Sequence, residues 1–265
     1  MKLLVIDVGN TNTVLGVFQG KTLKAQWRLT TKRAQTADEY GILIRNLFHL
    51  DGIEASDISG IMIASVVPPL NALLEEMAQK YFHLEALFLS PGTRTGIAIH
   101  YDNPLEVGAD RIANSVAAFE KYGGPCIIVD FGTAITFDAV SEKGEYLGGV
   151  IAPGIGIASE ALFQHAARLP RVEIREPQRV IGTSTVSSMQ SGLFYGAVGL
   201  MDGILDRLSA ELGSKTKVVA TGGQASLVTA ASKYKPPVDS SLTLEGLRII
   251  YERNLPRARQ RKEHE

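Results

Sequence analysis

LLVIDVGNT, from Leu3 to Thr11, and CIIVDFGTA, from Cys126 to Ala134, are two versions of one pattern in this 265-residue chain. Each is an apolar run typical of a buried strand, followed by Asp, an apolar residue, Gly and a short polar residue before a second strand begins. Asp7 and Asp130 hold the same place in the two copies. Two unrelated hairpins are the alternative, because a lone D-x-G is a common turn signal. The match through strand, turn and following strand favours an internal duplication.

The two Asp-Gly tips have the chemistry of a site for phosphate and a cation. A carboxylate at the end of a buried strand can hold a cation, and a glycine leaves room for a phosphate to approach backbone N–H groups. Two such tips facing each other would hold a nucleoside triphosphate and its metal from both sides. The pattern therefore predicts nucleotide binding at Asp7 and Asp130.

Composition excludes several classes of protein. A chain that is 45% hydrophobic and 21% charged, with a formal net charge of −1, gives no reason to expect nucleic-acid or membrane binding. No apolar stretch approaches the ~20 residues of a membrane-spanning helix, so we expect a cytoplasmic protein. A single cysteine, Cys126, excludes an internal disulfide and a zinc site built from cysteines.

The order of predicted elements is similar in two parts of the chain, with strands first and helices after them. Two α/β halves follow, with their boundary inside or just after a helix predicted over residues 104–122. Residues 1–122 form the first half and residues 123–255 the second. Residues 256–265 are a charged tail that we expect to be solvent-exposed.

The segment GADRIAN, from Gly108 to Asn114, places an acid and a base side by side. A kinase that acts on an alcohol needs a carboxylate to orient the hydroxyl and accept its proton, and a cation to offset charge on the transferring phosphoryl group. Asp110 and Arg111 supply both. The alternative is a helix whose first turns carry a surface Asp and Arg.

Several motifs together make the chain resemble the type III pantothenate kinases, a family of the actin, sugar-kinase and Hsp70-like ATPase superfamily. They occur in the order and spacing of that family, from Met1 to about Arg253. They are DVGNTNT from Asp7 to Thr13, Tyr101 followed by Gly108–Arg111, DFGT from Asp130 to Thr133, Gly148-Gly149 with Pro153-Gly154, and Thr221-Gly222-Gly223.

The resemblance implies a fold, an activity and cofactors. The fold would be two similar α/β halves of the ribonuclease H-like type, with the active site in the cleft between them. The activity would be ATP-dependent phosphorylation of the primary hydroxyl of pantothenate to 4'-phosphopantothenate, the first step of coenzyme A biosynthesis. ATP would bind with Mg²⁺, and a monovalent cation, K⁺ or NH₄⁺, would be required.

The same resemblance implies roles for individual residues. Asp110 would accept the proton, Asp130 would hold the monovalent cation and Thr133 would contact ATP. Thr221-Gly222-Gly223 would be a nucleotide loop of the second half. The first ATP phosphate loop would consist of Asp7, Val8, Gly9, Asn10, Thr11, Asn12, Thr13 and Val14. The pantothenate pocket would be lined by Tyr101, Gly108, Ala109, Asp110, Arg111 and Thr185.

Two other functions stay open for a chain of this kind. A kinase of the same superfamily could phosphorylate another small hydroxy acid or a sugar. A non-catalytic regulatory accessory factor is the second alternative, since a fold does not by itself fix a function. The absence of a basic patch and the presence of the acid at Asp110 weigh against the regulatory role.

A helix predicted from Thr185 to Leu212 carries four glycines on one face: Gly192, Gly196, Gly199 and Gly203. Glycine inside a helix costs ~1 kcal/mol relative to alanine, so something is expected to pack closely there. The glycines alone fit a contact within the chain equally well. The family resemblance implies a homodimer formed mainly by the second half, with Thr185 near the subunit contact.

Overall fold

The computed structural model describes residues 2–213 and 215–255, so the predicted tail of residues 256–265 lies outside the described part. The described residues form two compact units. One contains the described residues of Met1–Ile97, Asp102–Ala117 and Leu242–Glu265, and the other contains those of Ala98–Tyr101 and Ala118–Ser241.

The first unit is built on a five-stranded sheet in the order β3-β2-β1-β4-β5. Strands β1, β2 and β3 form an antiparallel meander, and β4 runs parallel to both β1 and β5. Leu4, Val5 and Ile6 are fully buried because helices cover both faces of the sheet. The strands are β1 (Lys2–Val8), β2 (Asn12–Gln19), β3 (Thr22–Thr30), β4 (Ile58–Ser65) and β5 (Ala86–Phe88).

Two helices of the first unit, α1 (Ala37–Leu50) and α2 (Asn71–Phe82), pack on one face of this sheet. Helix α1 begins with a capping box, in which Thr36 Oγ1 accepts from the Glu39 N–H and the Glu39 carboxylate accepts from the Thr36 N–H. Trp27 of β3 ties the strand to the end of this helix. Its Nε1 donates to Asp51 at 2.9 Å, and its ring centroid lies 5.4 Å from that of Phe48.

The second unit has its own five-stranded sheet, in the order β10-β7-β8-β9-β6. Strands β7, β8 and β9 form an antiparallel meander, while β10 runs parallel to β7 and β6 runs parallel to β9. The strands are β6 (Ala98–Ile99), β7 (Cys126–Phe131), β8 (Ala134–Val140), β9 (Glu145–Pro153) and β10 (Lys217–Thr221). The helices that follow α2 are α3 (Ala109–Tyr122), α4 (Ile155–His165), α5 (Thr185–Leu212), α6 (Ala225–Thr229) and α7 (Leu242–Asn254).

The predicted duplication is confirmed in the topology of the two sheets. Each has a three-stranded meander whose first strand pairs in parallel with a fourth strand. Asp7 lies near the end of β1, opposite Ala64 of β4. Asp130 lies near the end of β7, opposite Thr221 of β10. The two aspartates therefore hold equivalent places in equivalent sheets.

The division of the chain differs from the predicted halves at residues 1–122 and 123–255. Helix α7, which was assigned to the second half, packs on β1, β2 and β4 of the first unit. It also lies against α3, since a Cβ atom at Gly246 would collide with the carbonyl group of Ala113. Tyr101 falls in the second unit because β6, which precedes it, pairs with β9 as an edge strand of the second sheet.

Two local predictions also differ from the structure. The helix predicted over residues 104–122 begins at Ala109, and a short 3₁₀ turn occupies Pro104–Glu106. Strands β5 and β6 were not predicted, because runs of three and two residues are too short to show a period. No helix of residues 2–213 and 215–255 is long and apolar enough to cross a bilayer.

The four glycines of α5 lie on its outer face. Within the described residues, nothing beyond the helix itself lies within 4 Å of a Cβ atom placed at Gly192, Gly196 or Gly199. The residues of α5 buried in the core of the second unit include Leu193, Phe194, Ala197, Val198, Met201 and Leu205. Within residues 2–213 and 215–255, the structure therefore does not support the alternative that the face at Gly192, Gly196 and Gly199 packs against its own chain.

Candidate active site

The first predicted phosphate loop is centred on a tight three-residue connection between β1 and β2. The N–H of Gly9 donates to the carbonyl of Asn12 at 3.0 Å, so this N–H closes the turn. Asn10 and Thr11 are exposed at the tip, whereas Thr13 is fully buried. Its hydroxyl lies 2.9 Å from the hydroxyl of Thr31. The tip residues are thus the ones placed to meet a ligand.

The flanking residues of the same loop have different environments. Asp7 is partly buried at the end of β1, where it pairs with Val14 of β2. Val8 is fully buried, so its side chain belongs to the core of the first unit. A ligand at this loop would therefore meet the Asp7 carboxylate and backbone groups of the tip.

The second loop, between β7 and β8, repeats this turn with one residue fewer. The N–H of Gly132 donates to the carbonyl of Ala134 at 3.0 Å, and Thr133 is exposed at the tip. Helix α4 begins directly beside it, because a Cβ atom at Gly154 would collide with the carbonyl oxygen of Thr133. Thr133 therefore lies next to a helix N-terminus, which favours anionic groups.

The carboxylate of Asp130 packs over the loop that follows β10. A Cβ atom at Gly222 would lie 2.5 Å from Asp130 Oδ1 and 2.6 Å from the backbone nitrogen of Phe131. Gly222 also has a positive φ of 96°, a backbone angle that residues other than glycine rarely adopt. Within the Thr221-Gly222-Gly223 sequence, glycine is thus required at position 222 by its closeness to Asp130 and by its backbone conformation.

The GADR segment lies at the same edge of the first sheet as the first loop. The N–H of Val66, which follows β4, donates to the carbonyl of Val8 at 3.0 Å. A Cβ atom at Gly108 would lie 3.7 Å from Cγ1 of the same valine. Val66 thus links the two segments, and the structure brings Gly108–Arg111 close to the Asp7 loop.

Asp110 stands in the first turn of α3 in a partly buried environment. Its Oδ1 accepts from the backbone N–H of Arg111 at 2.9 Å. Burial raises the pKa of Asp110, while that hydrogen bond and the charge of Arg111 oppose the rise. A carboxylate with a raised pKa is a stronger proton acceptor. Arg111 is only 7% exposed, so the alternative of a surface Asp–Arg pair is wrong.

Tyr101 lies two residues after β6 in the second unit, and its ring packs against residues of β9. Its ring centroid is 6.2 Å from that of Tyr146, and a Cβ atom at Gly148 would lie 3.5 Å from the Tyr101 ring. The hydroxyl of Tyr146 donates to Asp138 Oδ1 at 2.9 Å, and both residues are fully buried. Neither was predicted, although an aspartate inside the apolar strand AITFDAV is a signal that could have been noted.

Asp138 and Asp130 lie on the same face of the second sheet. Asp130 is paired directly with Thr136 of β8, and Asp138 follows Thr136 by two residues. Thr185, the last predicted site residue, is exposed as the first residue of α5, after the N-cap Ser184. The second unit therefore contains Tyr101, Asp130, Thr133 and Thr185, and the first contains Asp7–Val14 and Gly108–Arg111.

Carboxylate oxygens at Asp7 and Asp130 are hard ligands of the kind that Mg²⁺ and K⁺ take. Among the described residues, no group of three or more His, Cys, Asp or Glu side chains is close enough to hold a metal ion. These carboxylates fit a cation that takes its other ligands from phosphate oxygens, water or backbone groups.

Two solved structures of known proteins share this fold. A putative Baf family transcriptional activator from Campylobacter jejuni is 21% identical, with a TM-score of 0.60 over 95% of this chain and 98% of that chain. Lmo2764, a putative N-acetylmannosamine kinase from Listeria monocytogenes, is 12% identical, with a TM-score of 0.52 over 96% and 99%. The two α/β units have the fold of the actin, sugar-kinase and Hsp70-like ATPases.

Sequence comparison identifies the family within that fold. The family model for type III pantothenate kinase matches residues 3–207. The type III pantothenate kinase of Koribacter versatilis is 60% identical over 270 residues, covering 98% of each chain. That of Solibacter usitatus is 55% identical over 258 residues, covering 97% of this chain and 99% of the relative. With the two Asp-Gly loops and the GADR segment in place, this chain belongs to the type III pantothenate kinase family.

Proposed function

We propose that this protein is an ATP-dependent pantothenate kinase that forms 4'-phosphopantothenate, the first step of coenzyme A biosynthesis. Membership of the family supports the substrate and the reaction. The observation in the structure that carries the proposal is the partly buried carboxylate of Asp110, linked through Val66 to the loop that follows Asp7.

Asp110 is the proton acceptor in this reaction. The primary hydroxyl oxygen of pantothenate forms a bond to the γ-phosphorus while the bond from that phosphorus to the β,γ-bridging oxygen breaks. The hydroxyl proton passes to the Asp110 carboxylate, and ADP leaves. The raised pKa of Asp110 suits this role because the carboxylate binds the proton more readily than an exposed aspartate would.

ATP binds at the residues of the two loops, Asp7–Val14 and Thr133, with the Asp7 carboxylate near its metal. Mg²⁺ supplies positive charge to the triphosphate when bound. Asp130 would hold a monovalent cation, K⁺ or NH₄⁺, whose positive charge would help to offset the negative charge of the transferred phosphoryl group. The position of Asp130 beside Gly222, in the loop after β10, supports a cation at the nucleotide loop rather than on the outer surface.

Pantothenate binds at Tyr101, Thr185 and the GADR residues Gly108, Ala109, Asp110 and Arg111. Asp110 meets its hydroxyl end. Arg111 and Thr185 are donors suited to its carboxylate. The place of the active site between the two halves stays a prediction.

We also infer that the protein acts as a homodimer in the cytoplasm. The support is the outer face of α5, where glycines leave the helix backbone open to close approach. Since glycine lowers helix stability, a surface row of glycines is better explained by a partner helix than by solvent. Thr185 begins the same helix, so a partner at this face would lie near it.

ATP turnover measured with and without pantothenate tests the activity. We expect turnover that depends on pantothenate and is lost when sodium replaces potassium. Turnover with other hydroxy acids or sugars but not with pantothenate would favour another kinase of the superfamily. ATP binding without turnover of any of them would favour a regulatory factor.

A further inference from the structure

Thr31, the residue that follows β3, makes three hydrogen bonds to the first loop. Its N–H donates to the carbonyl of Thr11 at 3.0 Å, and its hydroxyl donates to the carbonyl of Gly9 at 2.7 Å. Its Oγ1 also lies 2.9 Å from Oγ1 of Thr13. The loop after β1 is therefore held by a residue that lies 22 positions from Gly9 along the chain.

The directions of these bonds follow from counting protons. A hydroxyl has one proton, and that of Thr31 is used on the carbonyl of Gly9. The hydroxyl of Thr13 must then donate to Oγ1 of Thr31. Thr13 is fully buried, so its hydroxyl is a structural group and not a donor to phosphate.

The hydrogen bonds that the carbonyl groups of Gly9 and Thr11 accept from Thr31 set the direction of two N–H groups. In a planar trans peptide, the N–H of the next residue points opposite to the carbonyl. Because the carbonyls of Gly9 and Thr11 point toward Thr31, the N–H groups of Asn10 and Asn12 point away from it. Backbone N–H groups turned to one side of a short loop form the kind of concavity that binds phosphate.

Arg33, two residues further along, reaches the same tip. Its Nη2 donates to Oδ1 of Asn10 at 3.3 Å, and its side chain is exposed. A guanidinium beside the loop raises the local positive potential, which favours an anionic ligand there.

We propose that Thr31 is a positioning residue for ATP, because it fixes the backbone of the first loop so that its N–H groups face the phosphates. This inference rests on the proposed function. Thr31 acts through the backbone of this loop and does not itself touch the nucleotide. Its replacement is therefore expected to change the affinity for ATP and not the affinity for pantothenate.

Thr31→Val removes the hydroxyl and keeps the side-chain shape, whereas Thr31→Ser keeps the hydroxyl. For Thr31→Val we expect the KM for ATP and the Kd for a non-hydrolysable ATP analogue to rise about fivefold, as for loss of one ordinary hydrogen bond. The KM for pantothenate stays within twofold. Thr31→Ser and the matched control Thr30→Val, whose side chain is exposed, remain close to wild type.

Equal increases in the two KM values, or an unchanged Kd for the analogue, would overturn the inference. If Thr31→Val does not fold, as judged by circular dichroism, Thr31→Ala carries the same test. A wild-type protein that binds the analogue but does not phosphorylate pantothenate would contradict the proposed function alone. An analogue Kd that is the same in Thr31→Val and wild type would contradict only the role of Thr31.

Discussion

The Oδ1 atom of Asp110 occupies the space beside Gly108, 2.5 Å from where a Cβ atom of residue 108 would lie. In the structure, the space at Gly108 is used by the protein's own carboxylate. The glycine therefore sets the position of the group that we propose as the proton acceptor.

Gly108→Ala should displace the Asp110 carboxylate and lower kcat. A misplaced base loses a large part of its effect, so we expect a fall of about tenfold or more. The matched control is Gly156→Ala in α4, where nothing lies within 4 Å of an added Cβ in the described residues. Steady-state kinetics of the two variants decide the matter, and similar kcat values for both would contradict the positioning role.

Asp110→Asn should keep the fold and ATP binding and lose most phosphoryl transfer. Removal of a positioned base typically costs ~10²–10⁴-fold in rate. Because burial raises the pKa of Asp110, the wild-type rate should also fall with decreasing pH at a pH above the ordinary aspartate pKa of 3.8. Rates of the Asn variant within a few-fold of wild type would show that Asp110 is not the base.

The same substitution should increase the free energy of unfolding at neutral pH. A folded-state pKa above the unfolded value means that the native protein binds the proton more tightly. The ionised carboxylate therefore destabilises the fold increasingly as pH rises from 3.8 through the raised pKa. Urea unfolding between pH 4 and pH 8 should give a higher free energy of unfolding for Asp110→Asn than for wild type, and the difference should grow with pH. A difference that stays constant or shrinks as pH rises would mean that burial of the charge is not the cause.

Activity should depend on potassium or ammonium through Asp130. Asp130→Ala should lose most activity together with the response to potassium. Gly222→Ala should weaken that response, since its Cβ would press on Asp130 Oδ1. Potassium titrations in sodium buffer measure the effect, with Gly156→Ala as the control. Full wild-type activity in sodium alone would contradict a potassium site at Asp130.

Sedimentation at micromolar concentration should show a dimer rather than a 28.6 kDa species. Gly196→Leu should produce a folded monomer, because the added side chain keeps a partner helix away. Gln79→Leu, on the exposed surface of α2, adds the same side chain elsewhere and should leave the dimer intact. A Gly196→Leu variant that stays dimeric would show that the contact lies at another surface.

The elements with a clear period were predictable from the sequence almost to the residue. Helix α5 runs from Thr185 to Leu212, as its pattern indicated. Long amphipathic or alternating segments carry their own signal, because burial on one side repeats with the period of the element. The repeated Asp-Gly pattern located both loops for the same local reason.

Contacts between distant parts of the chain could not be predicted in this way. Helix α7 returns to the first unit, and nothing in its own sequence says which sheet it covers. Asp138 and Tyr146 form a buried pair only because β8 and β9 align them. Thr31 follows a strand as an ordinary polar residue, and its bonds to the loop appear only once β3 is paired with β2.

Trp27, on β3, is the single tryptophan of the chain. Its indole is fixed by Asp51 and packs near Phe48, so its fluorescence is a natural probe of the first unit alone. Far-ultraviolet circular dichroism, by contrast, follows the helices of both units. Unfolding curves recorded by the two signals would coincide if the units unfold together and separate if they do not.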